Sequence, residues 1–408
     1  MDLDLNLNLN MDILFISHKF PPVIGGMEKH AFELVNRLES HFKVHRLVYD
    51  NQEGRFWFFY YLKKRVRAIL KANPNIQLVY ANDGLLATQL AWLKKEQQVK
   101  VVATVHGLDI VHPNGFYQQV IRRNLSQLDH LIAVSRATKA ACVQRGILSE
   151  KVSVVKNGVD HDLAQTPFRS DFLSQFAAKR KLPLIGKKIL VTMGRPVKRK
   201  GFSWFVKEVV PRLPDNTVLL MIGPRKNKWP SFWNYLPSPI RIQIELATGM
   251  ANDESALSSS LQHASIKGKV FELGKLPFSE VLQLLAAADL FIMPNIQVMG
   301  DMEGFGLVAL EAALCGTPVL AADIEGIRDA VQDGQNGYLL PSRDDTAWVD
   351  KIHSLLSQPI SLRQLGQQAR DFTLANYSWE QMAFEYQEIF DTFRGDKQPE
   401  FEGLLEVG

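Results

Sequence analysis

Val101-Val102-Ala103-Thr104-Val105, followed by His106-Gly107-Leu108-Asp109, carries five β-prone residues with no polar alternation and then a break. A strand of that kind is covered on both faces, which belongs to a parallel sheet with crossover helices rather than to a half-solvated antiparallel one. The same scheme recurs outward in both directions. In the first half strands are expected at Ile13–Ser17, Val44–Val48, Leu78–Tyr80, Val101–Val105, Leu131–Val134 and Val152–Val155. In the second half they are expected at Ile189–Met193, Val218–Ile222, Val270–Leu273, Leu290–Met293, Pro318–Ala321 and Tyr338–Leu340. Longer helical patterns separate them. The pattern predicts an α/β chain of two doubly wound, Rossmann-like parallel-sheet domains, residues 11–165 and 188–378. Residues 166–187, with Pro167, Pro183 and Gly186, are expected to be a linker. Residues 1–10 alternate Leu with Asp or Asn and read as a disordered extension, and 394–408 as a flexible tail. A helix is expected at Trp379–Phe393, with Met382, Tyr386, Ile389, Phe390 and Phe393 on one face.

Composition agrees with that division. A chain of 408 residues is long for one domain, and 46% hydrophobic with 22% charged residues excludes a wholly disordered chain. Only Cys142 and Cys315 occur, which excludes a disulfide framework and fits a reducing compartment. No apolar run approaches the ~18 residues of a membrane-spanning helix. The longest, Val281–Met293, is broken by Gln283 and Asp289, and the first ten residues lack the basic start of a signal peptide. A cytoplasmic protein is expected. Residues 1–187 hold 26 Lys+Arg against 16 Asp+Glu, and 188–408 hold 21 against 27, so charges of +10 and −6 make up the net +4. Such asymmetry suits one domain facing an anionic surface or ligand.

Ligands in open α/β sheets bind at the carboxyl ends of the strands, and three loops there are unusual. After the first strand comes His18-Lys19-Phe20-Pro21-Pro22-Val23-Ile24-Gly25-Gly26-Met27-Glu28. Its glycine pair permits close approach of backbone to a ligand and exposes helix-end amides suited to phosphate; a plain tight turn explains the glycines equally well. Gly194-Arg195-Pro196-Val197-Lys198-Arg199-Lys200-Gly201 opens the second half with four cations in six residues, which favours diphosphate over a solvated basic turn. In Gly300-Asp301-Met302-Glu303-Gly304-Phe305-Gly306-Leu307-Val308-Ala309-Leu310-Glu311, the acids suit sugar hydroxyls and the amides of Gly306–Val308 suit phosphate. Glu272 with Glu280 and Glu380 with Glu388 repeat the spacing of Glu303 with Glu311, so context rather than spacing selects the pair. Gly304-x-Gly306-x-x-Ala309 with Asp323 imitates a dinucleotide fingerprint, but ten residues separate it from the preceding strand, where the motif needs its first glycine tight against the strand end.

Together these pieces carry a family likeness. Pro21-Pro22…Gly25-Gly26-x-Glu28, Val105-His106-Gly107-x-Asp109, Val134-Ser135 and Asn157-Gly158-Val159-Asp160 are followed by Gly194-Arg195…Lys200-Gly201. Glu303-Gly304-Phe305-Gly306…Glu311-Ala312, Gly316-Thr317-Pro318-Val319 and Ser378-Trp379 complete the series. In this order, over Met11–Phe393, the chain resembles the family 4 retaining glycosyltransferases of the GT-B fold. The resemblance implies an acceptor domain, then a donor domain, then helix 379–393 crossing back onto the first. It implies a nucleotide-sugar co-substrate whose diphosphate is held by Arg195 and Lys200, whose sugar hydroxyls meet Glu303, and whose ribose meets Glu311. Gly304, Phe305, Gly306, Leu307 and Val308 would line the donor. Gly25, Gly26, His106 and Asp109 would lie on the acceptor side, with Gly26 approaching the diphosphate and His106 at the reaction centre, as proton carrier or as orienter. Catalytic residues would be His106, Glu303, Arg195 and Lys200. No metal and no other cofactor is expected, since lysine and arginine take the metal's place, and no nucleic-acid partner.

Two departures stand out. Pro294–Met302 is longer than usual, resembling a mannosyl-transferring branch and tilting the donor toward GDP-mannose over a UDP-hexose. Arg225–Ile266 is a long insertion with Trp229, Phe232, Trp233 and Tyr235. Base recognition is expected near Leu276. Arg55–Lys71 holds six consecutive aromatics, Phe56–Tyr61, then Lys63, Lys64, Arg65, Arg67 and Lys71, a pattern that suits either an anionic membrane surface or a core helix. The expected activity is retaining, metal-independent hexosyl transfer to a glycan or lipid-linked acceptor in cell-envelope synthesis. A sugar-nucleotide epimerase on the same fold and a degenerate nucleotide-sugar-binding protein are the alternatives.

Overall fold

The computed structural model describes residues 11–23, 25–96, 99–165, 169–224 and 253–394. Twelve strands form two six-stranded sheets. The first holds β1 (Asp12–Ser17), β2 (Lys43–Val48), β3 (Ile76–Ala81), β4 (Lys100–Val105), β5 (His130–Ala133) and β6 (Val152–Val154), ordered β2-β1-β3-β4-β5-β6. The second holds β7 (Lys188–Met193), β8 (Thr217–Ile222), β9 (Val270–Gly274), β10 (Leu290–Met293), β11 (Val319–Ala322) and β12 (Gly337–Leu340), ordered β12-β11-β10-β7-β8-β9. Neighbouring strands pair in parallel throughout. All twelve expected strands form, with ends differing by one or two residues.

Successive side chains of a strand point to opposite faces, so each uninterrupted apolar run feeds two cores. In the first sheet Leu14, Ile16, Val79, Val101 and Ala103 pack on one face against Phe58, Leu62, Val66 and Leu70 of helix Arg55–Ala72. Ile13, Phe15, Leu78, Tyr80 and Val102 pack on the other against helix Gly26–Leu38. The last helix, Trp379–Asp391, joins this second face through Trp379, Met382, Ala383, Tyr386 and Phe390; Ile389 and Phe393 are only partly covered. The second sheet divides likewise, with Ile189, Val191 and Leu220 on one side and Leu190, Leu219 and Met221 on the other.

Residues 172–187 are not a free linker. Helix Phe172–Arg180 puts Phe172, Phe176 and Ala177, and the following turn puts Leu184, into the second-domain core, because an amphipathic segment beside an apolar sheet face is driven to bury. Residues 1–10 and 395–408 lie outside the described residues, as do Trp229, Phe232, Trp233 and Tyr235 of the insertion. From the rest of that insertion helix Glu254–Leu261 docks through Asp253, whose carboxylate accepts from the Ser203 amide at 2.9 Å and its hydroxyl at 2.5 Å.

Strand order reverses direction between β1 and β3 in the first sheet and between β7 and β10 in the second. Loops leaving these pairs diverge to opposite sides and leave a crevice at the carboxyl edge. Both crevices open toward the contact between the domains.

Candidate active site

In the second domain the crevice is built by glycines. A β-carbon on Gly201, whose φ is +65°, would fall 2.0 Å from the Pro294 carbonyl oxygen; glycine therefore lets the loop after β7 lie directly on the loop after β10. That contact sets Lys200 Nζ 2.7 Å from Glu303 Oε2. Arg199 Nε lies 3.6 Å from Glu303 and 3.6 Å from Asp301, and Asn295 Nδ2 donates to Glu303 at 3.1 Å. The Glu303 amide donates to Glu325 Oε2 at 2.6 Å, and the Gly326 amide donates to the Glu303 carbonyl at 3.1 Å. Glu325 sits at φ +50°, a conformation unusual for a side-chain-bearing residue.

Charge follows from this packing. Burial works against ionising Glu303, yet Lys200 and Arg199 hold its carboxyl down to about 2. Burial draws the Lys200 ammonium below its ordinary value, with Glu303 opposing and Arg199 and Arg195 adding to the effect. Burial pushes Glu325 up to about 7, against the Glu303 amide. Arg195 itself is exposed and has no ion-pair partner among the described residues.

Two helix N-termini meet across the cleft. Helix Leu307–Leu314 begins after Gly306 (φ +104°), and a β-carbon on Gly26, first residue of helix Gly26–Leu38, would lie 3.4 Å from Leu307 Cδ1. Their unpaired amides and partial positive charge face one region, which with Lys200 and Arg195 suits a polyanion. One turn beyond Val308, Glu311 is pushed by burial up to about 7, with Lys29 opposing and Asp160 adding. Lys29 Nζ is 2.5 Å from Asp160 Oδ2, and Trp379 Nε1 donates to Asp160 Oδ1 at 2.6 Å, so the returning helix braces this corner.

On the first-domain side, His106 Nε2 donates to the Asn82 carbonyl at 2.8 Å, which fixes the proton on that nitrogen. Its ring meets His30 edge-on at 5.0 Å. His30 Nδ1 donates to Asn82 Oδ1 at 3.0 Å and its Nε2 accepts from the Tyr386 hydroxyl at 3.1 Å; burial first, then His106, holds it well below the usual histidine value. Asp109, expected on the acceptor side, is instead turned onto backbone. It accepts from the His106 amide at 2.9 Å and the Gly84 amide at 2.8 Å, pinning the loop after β4 to the loop after β3. Those amides have no strand partner at the sheet edge, and the nearest carboxylate satisfies them.

The domains touch at these residues. A β-carbon on Gly304 would fall 2.0 Å from the His106 carbonyl oxygen, and one on Gly107 would fall 2.8 Å from Met302 Cγ. Met302 is packed with the first-domain core. Fully buried Asp329 accepts from the Arg136 amide at 2.9 Å and from its Nε at 2.8 Å. A cavity of about 420 Å³ lies at the carboxyl ends of β7, β8 and β9, lined by Gly194, Pro196, Phe202, Met221, Gly223 and Leu273 among others. Leu276 does not line it but is buried in the core beneath.

Lys200, Glu303, Gly304, Gly306, Leu307 and Gly26 thus converge with His106 about one cleft, with Gly25 and Phe305 in the loops that shape it. Sequence reasoning passed over Arg199, Asn295 and Asp301, although all three lie in segments singled out for their charge or length. Glu325 follows β11, far along the chain from Glu303, and no local signal marks it.

The sequence profile described as "Glycosyl transferases group 1" matches residues 174–372, and that described as "Glycosyltransferase Family 4" matches residues 24–163. Glycogen synthase of Mycobacterium tuberculosis is 25% identical, with 79% of this chain and 70% of that one covered. N-acetyl-alpha-D-glucosaminyl L-malate synthase of Bacillus anthracis is 25% identical over 79% and 77%. D-inositol 3-phosphate glycosyltransferase of Corynebacterium urealyticum is 27% identical over 75% and 69%. Among solved structures, HepE of Anabaena in complex with UDP superposes with TM-score 0.71 at 19% identity, covering 94% of this chain and 100% of that one. Sucrose-phosphate synthase of Thermosynechococcus elongatus gives 0.69 at 21%, covering 94% and 98%. With both halves matched in order and the two-sheet architecture shared, the chain belongs to the family 4 glycosyltransferases of the GT-B fold.

Proposed function

We propose that this enzyme transfers a hexose, with retention of configuration and without a metal, from a nucleoside-diphosphate sugar to a glycan or lipid-linked acceptor of the cell envelope. One observation carries the reading: two helix N-termini and Lys200 converge on the region where Glu303 is held in a fixed orientation, with the exposed Arg195 in the same loop as Lys200. Breaking a glycosyl–phosphate bond builds negative charge on the departing diphosphate. Arg195, Lys200 and the amides of Gly26 and Gly306–Val308 are disposed to stabilise that charge without reorganising. Glu303, ionised and anchored by Lys200, Arg199 and Asn295, accepts hydrogen bonds from the sugar. Glu311 receives the ribose hydroxyls, and the apolar cavity between Pro196 and Leu273 receives the base. HepE was crystallised with UDP-glucose, which supports a UDP-hexose donor beside the GDP-mannose suggested by the loop before Glu303.

The reading extends to peripheral docking on an anionic membrane through helix Arg55–Ala72. Phe58 is buried, whereas Phe56, Trp57, Tyr60 and Tyr61 are exposed on one flank. Glu53 pairs with Arg65, and Glu96 with Lys63 and Arg67, so Arg55, Lys64 and Lys71 remain as the cations without an acidic partner among the described residues. Exposed rings beside free cations suit an interface that is apolar below and anionic above. No described helix is long and apolar enough to cross a membrane.

Thermal shift with UDP, GDP, ADP and NAD, followed by donor hydrolysis with and without acceptor lipid, tests the transferase. A shift with a nucleoside diphosphate and acceptor-dependent turnover are expected; a shift with NAD alone would overturn it. Flotation on vesicles of anionic phospholipid tests the docking. Salt-sensitive binding is expected, and vesicles that float free of protein at low salt would end that part.

A further inference from the structure

His18 follows β1 and Asp83 follows β3, so the two stand at the reversal point of the first sheet, where an open α/β sheet receives its ligand. Neither was singled out for a role in the sequence, and neither touches the donor groups above. His18 is 6% exposed and Asp83 is 1% exposed. His18 Nδ1 lies 2.8 Å from Asp83 Oδ2, while Asp83 Oδ1 caps the next helix by accepting from the Leu86 amide at 2.9 Å. The cap fixes the carboxylate; its contact with Nδ1 is a close ion-pair contact rather than an aligned hydrogen bond, but two lone pairs cannot face each other at 2.8 Å, so the proton stands on Nδ1. Nε2, on the far side of the ring from Asp83, is left as a bare acceptor with no partner among the described residues. Unlike Nδ1, Nε2 is not sealed from solvent, so a ligand entering the crevice can reach it. Beside it the half-buried Phe59 ring stands 5.0 Å from the imidazole. An acceptor nitrogen next to an aromatic face is what a pyranose needs: a hydroxyl edge for the first and a C–H face for the second. The adjoining residue, Asn82, holds His106 through its carbonyl, so this pair is one residue from the group at the reaction centre.

We infer that His18 Nε2 receives a hydroxyl of a sugar acceptor, with Asp83 setting its tautomer and Phe59 forming the wall against the sugar ring. The inference rests on the transferase reading and names the acceptor side of that same site. His18 binds and orients; it takes no proton.

The test uses the full chain, UDP-glucose and GDP-mannose as donors, and a set of p-nitrophenyl hexopyranosides as acceptors. Wild type is expected to glycosylate at least one hexoside. His18→Asn keeps a donor toward Asp83 but has nothing at Nε2. It is expected to lose about tenfold or more in kcat/KM for the hexoside, the value of one hydrogen bond, through KM. Donor hydrolysis and nucleotide affinity should stay at wild-type values. His18→Gln, which reaches the Nε2 position, should restore part of the loss. Asp83→Asn retains the cap but moves the imidazole proton to Nε2, and should raise the hexoside KM without changing donor hydrolysis. Undiminished transfer by His18→Asn overturns the inference. So does a parallel loss of donor hydrolysis, which marks a structural or donor-side role, and so does a wild type that hydrolyses donor yet glycosylates no hexoside. Failure of the transferase reading looks different, with no nucleotide shift and no hydrolysis of either donor by wild type, and it removes this inference with it.

Discussion

Lys200 and Arg195 differ in what surrounds them, and the difference predicts their variants. Lys200 is buried against Glu303, whereas Arg195 is exposed, so Lys200→Ala also releases the carboxylate that holds the sugar. Each replacement removes a fixed donor to the leaving group and should cost about 3 kcal/mol of barrier, or ~100-fold in kcat. Lys200→Ala should in addition raise the donor KM, which steady-state kinetics would separate; unchanged turnover in the double variant would sink the scheme. Glu311 makes a pH prediction. Its ordinary value is 4.5 and burial raises it to about 7. An acid raised in the folded state costs nothing below 4.5, where it is neutral in both states. The cost grows between 4.5 and 7 and is fully present above 7. Glu311→Gln should therefore melt at the wild-type temperature at pH 4.5, but higher at pH 8 by roughly 3 °C. Nucleotide affinity in wild type should rise through pH 7 as the carboxylate forms, and the variant should flatten that rise in calorimetric titrations.

Among elements, the loops between strand ends and helix starts decide the site. Gly304 has no room for a side chain against the His106 carbonyl, so Gly304→Ala must push the two apart. A shift of about 1 Å at a reacting centre costs on the order of 100-fold in rate. Transfer should fall by that amount while nucleotide binding, made mostly by the second domain with the Gly26 amide added from the first, weakens much less; equal transfer rates would show that the loops do not have to meet. The last helix, by contrast, was legible from its apolar face and earns its place by packing. Tyr386 donates to His30, and Trp379 to Asp160, so an element from the end of the chain braces the first-domain side of the cleft at two points.

For the molecule as a whole, the domains meet through a buried apolar cluster, Val134, Val159 and Leu163 against Phe305, Leu310 and Leu314, with a polar clamp beside it. Asp329 holds both the amide and the guanidinium of Arg136, and its own carbonyl accepts from the Tyr377 hydroxyl at 2.8 Å. Asp329→Ala removes a buried hydrogen-bonded carboxylate at a cost of roughly 1–3 kcal/mol. Solution scattering should report a larger radius of gyration for the variant, and the donor KM should rise, because Gly26 no longer faces Leu307. Identical scattering from both proteins would assign closure to Met302 and Gly304 instead.

What the sequence alone determined is the part that local pattern controls. Uninterrupted runs such as Val101–Val105 could only be strands covered on both faces, and cation and glycine clusters at their ends marked Lys200, Glu303, Gly306 and Gly26. Tertiary structure decided the rest. Segment 172–187 looked like a linker because burial of Phe172 and Phe176 depends on a sheet face supplied from elsewhere. Asp109 looked available until the fold brought the Gly84 amide to it. Glu325 and the His18–Asp83 pair carry no local mark, since each matters only through a partner 22 or more positions away. Periodicity is a property of neighbours in sequence, whereas the pairing of buried charges and amides is settled only when the chain has closed on itself.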